Sequence, residues 1–209
     1  MRFGVDEAGK GPVLGSMFAA CVRGEPTELP ESVADSKRLS PARRRELDAA
    51  IRAVCEVGVA EIPVSRIDGD EDMNTLTVAA HAEAIDAGAC DDDTGLCDAG
   101  DTSERRFARR VADACERSVE IDARHGADGT DSLVAAASIV AKVARDEHVA
   151  TLADEYGAIG SGYPSDETTR AFLREHVAES GTLPDCARAS WQTSEDVLAA
   201  AEQSALAEF

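Results

Sequence analysis

The sequence predicts an α/β fold with a helical C-terminal region. Strand-like runs come first, strands and helices then alternate, and the last third of the chain contains only helix-like segments. This order of elements is typical of an α/β domain that ends in added helices. We therefore assign residues 1–156 to the α/β domain and residues 157–209 to a helical region that packs on it.

Runs of apolar and β-branched residues predict the strands. The first run, RFGVD, carries two acids, Asp6 and Glu7, to the C-terminal end of its strand, where Gly9 and Gly11 follow. The third run, VGVAEIPVS, breaks at Pro63. The predicted strands are residues 2–6, 13–23, 57–65, 95–98 and 118–124.

Apolar residues at helical spacing, together with capping residues, predict the helices. Ser40 and Pro41 open the first one, because serine caps a helix N-terminus and proline fits the first turn. The loops between the later helices include GSGYPSD, residues 160–166. The predicted helices are residues 40–55, 72–87, 103–116, 132–156, 167–179 and 194–207.

The charge balance is strongly acidic, with 41 acids against 21 bases and a formal charge of −20. Only three of the bases are lysines, namely Lys10, Lys37 and Lys142. Such a surface resembles cytosolic proteins of salt-accumulating organisms, in which molar salt shortens the Debye length to about 3 Å. A disordered acidic chain is the alternative, but 44% hydrophobic residues in organised runs favour a packed fold.

Two local runs are basic despite the overall charge. SKRLSPARRR, residues 36–45, holds five bases and no acid, and ERRFARR, residues 104–110, holds four bases and one acid. Each run is typical either of a solvated helix face or of a surface that contacts nucleic acid. The sequence leaves both interpretations open.

Other composition features exclude several classes of protein. No apolar stretch is long enough for a membrane span and no signal-peptide core follows Met1, so we expect a cytoplasmic protein. The six cysteines are scattered without a C-x-x-C pair, which argues against a zinc site or a disulfide framework. The four histidines are equally dispersed, and their spacing indicates no catalytic triad.

The stretch GVDEAGKGP, residues 4–12, is close to a P-loop, yet it does not fit one. Gly11 takes the position of the Ser or Thr that would bind magnesium. A P-loop must also open a helix, whereas Pro12 is followed by a strand-like run. Asp6 and Glu7 would in addition repel a triphosphate.

Carboxylates at the ends of several predicted strands indicate a metal site. Asp6 and Glu7 end the first strand, and Asp98 closes GLCD. Asp128 or Asp131 follows the last strand in the turn HGADGTD. Grouped carboxylates are hard oxygen ligands that suit Mg²⁺ or Mn²⁺, and two such ions can promote phosphodiester cleavage.

Five motifs in order carry a resemblance to a known family: GVDEAGKGPVLG, DSKRLS, CDAGD with ERRFA, HGADGTDSLVAAASIVAKVARD, and GSGYPSD. Over most of its length the chain closely resembles type 2 ribonuclease H, ribonuclease HII, in its archaeal form. The resemblance implies a ribonuclease H-like mixed central β-sheet flanked by helices. It also implies endonucleolytic cutting of RNA paired with DNA, including single ribonucleotides in duplex DNA.

The resemblance assigns the catalytic, metal-binding carboxylates to Asp6, Glu7, Asp98 and Asp128, which would hold two Mn²⁺ or Mg²⁺ ions with substrate bound. Asp131 competes with Asp128 in the same turn, and Asp101 competes with Asp98. The substrate-binding turn becomes Gly9, Lys10 and Gly11, and Tyr163 matches the tyrosine that packs on the sugar beside the ribonucleotide. Further phosphate contacts are expected from Lys37, Lys142 and Arg145.

Two rival functions stay open at this point. Another nuclease or a recombinase of the same superfold would share the carboxylates but not the pairing of the Gly-Lys-Gly turn with Tyr163. A non-enzymatic acidic protein that mimics nucleic acid would show no metal-dependent turnover. We expect a monomer without a membrane partner, and the tail ALAEF lacks the glutamine and paired aromatics of a clamp-binding peptide.

Overall fold

A computed structural model of the chain describes residues 1–33 and 40–207. Lys37, one of the predicted phosphate contacts, lies outside these residues. Within the described ranges no helix is long and apolar enough to cross a lipid bilayer.

Five strands form one mixed sheet. They are β1 (Arg2–Ala8), β2 (Met17–Gly24), β3 (Glu56–Ile62), β4 (Thr94–Asp98) and β5 (Glu120–Arg124). Their order across the sheet is β3-β2-β1-β4-β5. The pairs β1–β2 and β2–β3 are antiparallel, whereas β1–β4 and β4–β5 are parallel. The predicted mixed central sheet is therefore confirmed.

Seven α-helices lie within the described residues. They are α1 (Pro41–Val54), α2 (Val64–Ile67), α3 (Met73–Gly88), α4 (Glu104–Ala114), α5 (Ser132–Tyr156), α6 (Glu167–Ser180) and α7 (Gln192–Ala207). Capping side chains begin several of them, because free amides of a first helical turn need an acceptor. Ser40 accepts from the amide of Arg43, and Asp72 accepts from the amides of Asn74 and Thr75.

The end of β1 and the start of β2 differ from the sequence prediction. β1 continues to Ala8, because Ala8 still pairs with Phe18 of β2. β2 begins at Met17 rather than at residue 13, since Gly15 turns the backbone with a φ of 75°. The predicted break at Pro63 is confirmed, since β3 ends at Ile62, but the short helix α2 that follows Pro63 was not predicted.

Contacts divide the chain into two compact units. Unit 1 comprises Met1–Lys10, Met17–Ile62 and Asp72–Asp146, and unit 2 comprises Gly11–Ser16, Pro63–Glu71 and Glu147–Phe209. These bounds differ from the predicted division at residue 156. Segments 11–16 and 63–71 belong with the C-terminal helices, although they precede them by many residues in sequence.

In unit 1 a hydrophobic core cluster joins the sheet to α1 and α5. Helix α5 packs so closely on β1 that a Cβ on Gly4 would lie 2.3 Å from the backbone of Leu133. Glycine is required there because any side chain would collide with main-chain atoms. Leu47 and Ile51 of α1 join the same cluster as Leu133 and Ile139 of α5. The tight contact holds the inner part of β1 rigidly against α5.

Unit 2 has a core of its own. It is built from the buried residues Val13, Leu14, Ile159, Leu173, Cys186 and Ala187. The side chain of Arg188 is fully buried in this unit, and its Nε donates to the Gly15 carbonyl at 2.8 Å. The amide of Arg188 also donates to the Val13 carbonyl at 2.8 Å. A buried guanidinium thus fixes the segment that follows Gly11.

Candidate active site

Asp6 and Glu7 lie inside β1, and not at its end as expected. Successive side chains of a strand point to opposite faces of the sheet. Asp6 accordingly accepts a hydrogen bond from Ser138 of α5, while Glu7 contacts His81 of α3. The two acids are nevertheless close enough for each to influence the ionisation of the other.

Asp6 is 7% exposed. Burial, followed by the negative charges of Glu7 and Asp98, raises the pKa of Asp6 to about 7. The hydrogen bond from Ser138 opposes this shift without cancelling it. An aspartate in this state gains strongly from a nearby cation, because the cation offsets both the lost hydration and the repulsion.

Glu7 is stabilised as an anion. Its burial acts to raise the pKa, but the hydrogen bond from His81 and the positive charge of Lys10 act in the opposite direction, and the pKa of Glu7 is lowered. The distance from His81 Nε2 to Glu7 Oε2 is 2.8 Å. Adjacent carboxylates therefore have pKa values shifted in opposite directions.

Asp98 ends β4, next to Cys97, the residue that pairs with Val5 of β1. Burial raises the pKa of Asp98, and the charges of Glu7 and Asp128 add to the shift. The amide of Ala127 donates to Asp98 Oδ1 at 2.7 Å. Ala127 begins a 3-10 turn, Ala127–Gly129, that carries Asp128. The four predicted carboxylates thus form one electrostatically linked group in unit 1.

Asp101 and Asp131, the alternatives to Asp98 and Asp128, make contacts with arginines and backbone amides. Arg106 Nε donates to Asp101 at 2.9 Å, and this pairing lowers the pKa of Asp101. Asp131 accepts from the amides of Leu133 and Val134 at 2.9 and 3.2 Å, which caps α5. Arg2 also donates to Asp131 at 2.6 Å. These contacts favour structural roles for Asp101 and Asp131.

The start of the Gly-Lys-Gly turn follows directly after β1. Gly9 has a φ of 92°, a backbone conformation that favours glycine. Lys10 Nζ donates to the carbonyl of Gly100 at 2.8 Å, in the loop between β4 and α4. The ammonium group of Lys10 therefore ties the end of β1 to the loop that follows Asp98.

The predicted phosphate contacts on α5 occupy different environments. Lys142 Nζ donates to Ser138 Oγ at 2.7 Å, and Ser138 in turn bonds Asp6. Lys142 is thereby connected to the carboxylate group through one hydroxyl. Arg145 is 6% exposed, so less of its side chain is accessible than a phosphate contact would suggest. Its assignment stays a prediction.

Unit 2 brings Gly11 and Tyr163 together. The amides of Val13 and Leu14 both donate to the Gly162 carbonyl, at 2.8 and 3.2 Å. A Cβ built on Gly11 would lie 3.9 Å from Tyr163 Cε1. Tyr163 is 47% exposed, which leaves its ring available for a ligand. The structure places Gly11 beside Tyr163, and their shared role in binding substrate stays a prediction.

Three residues near these groups escaped the sequence analysis. His81 and Ser138 bond the two carboxylates of β1, and Trp191 Nε1 donates to the Gly11 carbonyl at 3.3 Å. A buried imidazole within the apolar helix segment VAAHAEAI was an available signal, because burying a polar ring is costly unless it is bonded. The contacts of Ser138 and Trp191 join residues that are far apart in sequence, so no local pattern predicts them.

The carboxylate group fits a divalent metal by the chemistry of its donors. Carboxylate oxygens are hard ligands of the kind that Mg²⁺ and Mn²⁺ prefer. Burial first, and then the charges of neighbouring carboxylates, raise the pKa values of Asp6 and Asp98, and a cation would compensate both effects. Within residues 1–33 and 40–207, no three His, Cys, Asp or Glu side chains are already arranged as a complete metal site. Side-chain rotation would accompany binding.

Comparison with known sequences identifies the family. The family described as Ribonuclease HII matches residues 3–194. Ribonuclease HII of Halobacterium salinarum is 65% identical over 210 residues, which covers 100% of this chain and 99% of that protein.

Solved structures agree with the sequence match. The ribonuclease H2 from Pyrococcus horikoshii OT3 superposes with a TM-score of 0.90 at 30% identity, covering 97% of this chain and 99% of that chain. Ribonuclease HII from Archaeoglobus fulgidus, solved in a complex with PCNA, gives a TM-score of 0.83 at 34% identity over 94% of this chain and 96% of that chain. This chain belongs to the ribonuclease HII family, whose members are metal-dependent endoribonucleases.

Proposed function

We propose that the chain hydrolyses the RNA strand of RNA/DNA hybrids and cuts on the 5′ side of ribonucleotides embedded in duplex DNA. The products would carry a 3′-hydroxyl and a 5′-phosphate. Mg²⁺ or Mn²⁺ would be held by Asp6, Glu7, Asp98 and Asp128.

One observation carries this proposal. Asp6, Glu7, Asp98 and Asp128 interact electrostatically within a single compact unit, and the pKa values of Asp6 and Asp98 are raised by burial and by the charges of other members of the group. Carboxyl groups perturbed in this way cluster at functional sites, and a bound cation would compensate their charge. Family membership identifies that reaction as phosphodiester hydrolysis.

Some side chains would bind metal ions, and other groups orient those ligands. Two bound divalent ions would supply an activated water and stabilise the leaving oxygen. Ser138 and Ala127 orient Asp6 and Asp98 by hydrogen bonds. Lys10 holds the loop after Asp98 through the Gly100 carbonyl.

Recognition of RNA would come from the Gly-Lys-Gly turn and Tyr163. Glycine lets the backbone approach a sugar without a Cβ in the way, and the 2′-hydroxyl is the group that distinguishes RNA from DNA. The half-exposed ring of Tyr163 offers a stacking surface that does not depend on base sequence. Lys142, together with Lys37 and Arg145, would contact phosphates without reading bases.

An assay on a duplex with one ribonucleotide tests the proposal. The duplex is end-labelled and incubated at high salt with Mn²⁺, with Mg²⁺ and with a chelator. We expect one cut on the 5′ side of the ribonucleotide that depends on the metal. Cutting at sites unrelated to the ribonucleotide would indicate another nuclease of the superfold, and the absence of turnover would support a non-enzymatic acidic protein.

The Archaeoglobus fulgidus relative was solved in a complex with PCNA. For this chain the absence of a clamp-binding peptide was expected from the segment ALAEF alone, and it stays a prediction. A monomeric state and a cytoplasmic location stay predictions.

A further inference from the structure

His81 is a fully buried imidazole in the middle of α3. Its Nε2 lies 2.8 Å from Glu7 Oε2. The edge of its ring packs against Phe107 of α4, with ring centroids 5.1 Å apart and an interplanar angle of 85°. Two helices and one strand of unit 1 therefore hold this ring in one orientation.

The surroundings of His81 define its hydrogen-bonding role. Its Nδ1 is buried and has no hydrogen-bond partner among the described residues. A proton on Nδ1 would be an unsatisfied buried donor, and Nε2 would then direct a lone pair at a carboxylate. Both features are unfavourable. A proton on Nε2 avoids both, so Nε2 donates to Glu7.

We propose that His81 is a positioning residue for Glu7. Its N–H fixes Oε2, and Oε1 of the same carboxylate would then serve as a ligand of a divalent ion. The inference rests on the proposed function, because it assumes that Glu7 is a metal ligand. It adds a residue from α3, an element to which the sequence analysis assigned no functional residue.

A purely structural role for His81 is less consistent with these contacts. An apolar side chain would fill the same space between α3, β1 and α4 without burying an unpaired Nδ1. The residue therefore retains a polar ring where stability alone favours an apolar one. Hydrogen-bond partners of metal ligands orient those ligands, and their loss typically lowers metal affinity or activity by about 10–100-fold.

The test compares His81→Met with His81→Gln. The two side chains have similar length and volume, but only glutamine offers an N–H donor. Mn²⁺ binding is measured by electron paramagnetic resonance titration in molar KCl, without substrate, and kcat and KM are measured in parallel. We expect Met to weaken Mn²⁺ binding and to lower kcat by about tenfold each with little change in KM, and Gln to recover part of both losses.

A double-mutant cycle with Glu7→Gln shows whether His81 acts through Glu7. In the Glu7→Gln background, His81→Met should have no further effect on Mn²⁺ binding. Additive losses would overturn the inference, as would unchanged or tighter Mn²⁺ binding in His81→Met. If Glu7→Gln alone binds Mn²⁺ as the natural protein does, the proposed metal role of Glu7 fails. If only His81→Met is without effect, the inference about His81 fails alone.

Thermal unfolding of each variant separates folding from positioning. If His81→Met does not fold, His81→Phe replaces it in the comparison with His81→Gln. Phenylalanine retains a ring against Phe107 but has no N–H donor. His176→Phe serves as the control, because His176 packs against Tyr156 and Phe172 in unit 2. A loss of Mn²⁺ binding in this control equal to that in the His81 variants would overturn the inference.

Discussion

Asp98 accepts a hydrogen bond at 2.7 Å from the amide of Ala127, the residue that precedes Asp128. One carboxylate of the site thus holds the turn that carries another. The bond runs from the end of β4 to the short turn after β5, so it spans two parallel neighbours of the sheet. Placement of Asp128 therefore depends on Asp98 as well as on its own turn.

The first prediction separates Asp128 from Asp131. Asp128→Asn should abolish metal-dependent cleavage while leaving the protein folded, because it removes a charge from the metal site. Asp131→Ala should retain cleavage but lose about 1 kcal/mol of stability, since it removes the cap of α5 and the partner of Arg2. Cleavage rates and thermal unfolding of both variants are measured at high salt. An inactive Asp131→Ala beside an active Asp128→Asn would show that the assignment within this turn is wrong.

Replacement of the other three carboxylates should reduce cleavage as strongly as replacement of Asp128. Asp6→Asn, Glu7→Gln and Asp98→Asn should each reduce cleavage to the level seen with a chelator. Asp101→Asn serves as the comparison, because Asp101 accepts a hydrogen bond from Arg106. Its loss should affect the structure of the loop more than metal binding. Full activity in any of the first three variants would remove that residue from the site.

The stability of the metal-free protein should depend on pH through Asp6. Its pKa is about 7 in the folded protein and near 4 in an unfolded chain, so the folded state binds the proton more tightly. The stability associated with that proton is fully present below about pH 4 and is lost as pH rises through about 7. Asp6→Asn has no such loss, and it should therefore be more stable than the natural protein at alkaline pH.

Thermal unfolding with a chelator at about pH 5 and about pH 8.5 measures this effect. The advantage of Asp6→Asn should grow at the higher pH by about 3 kcal/mol, because about two pH units separate pH 5 from the folded pKa and each unit corresponds to about 1.4 kcal/mol. The exposed Asp70→Asn serves as the control and should show no such trend. An advantage that does not change with pH would contradict the burial argument.

Tyr163 and Gly11 should decide which bond is cut. Tyr163→Ala should lose the preference for the RNA–DNA junction with a stacking loss of about 1–3 kcal/mol, whereas Tyr163→Phe should retain most of it. Gly11→Ala should weaken ribonucleotide cleavage without disturbing the fold, since its methyl group would lie at an ordinary 3.9 Å from Tyr163 Cε1. Gly9→Ala is a poorer probe, because the φ of 92° at this position would strain any other residue.

The measurement is a gel of end-labelled duplex with a single ribonucleotide, and a long RNA/DNA hybrid gives the reference rate. Unchanged cut positions together with an unchanged ratio of junction to hybrid rates in both Tyr163→Ala and Gly11→Ala would defeat the recognition scheme. Metal binding should be unaffected in both variants, since neither residue belongs to the carboxylate group.

Salt should act on folding more than on substrate affinity. Salt weakens phosphate contacts because it reduces the free energy gained from counterion release. A chain of charge −20, however, also requires salt to screen its self-repulsion. We expect an activity optimum in molar KCl or NaCl that coincides with the salt range of compact folding. Circular dichroism measures the fold across the same series, and a stable native spectrum in salt-free buffer would remove the basis for this expectation.

The sequence by itself determined the features that depend on neighbouring residues. The helix start at Ser40 followed from capping chemistry, because a cap is completed within three residues of the chain. The extent of α5, residues 132–156, followed from its apolar composition and the turn before it. The four carboxylates were found as acids beside strand-like runs and by resemblance to a family.

Only the tertiary structure decided the features that join distant segments. β1 extends to Ala8 because Phe18 supplies a pairing partner, which places Asp6 and Glu7 inside the strand and on opposite faces. The contacts from His81 to Glu7 and from Lys10 to Gly100 span 74 and 90 residues, and segment 11–16 packs with helices near the C-terminus. No local pattern encodes such contacts, because they arise only when burial brings remote parts of the chain to the same place.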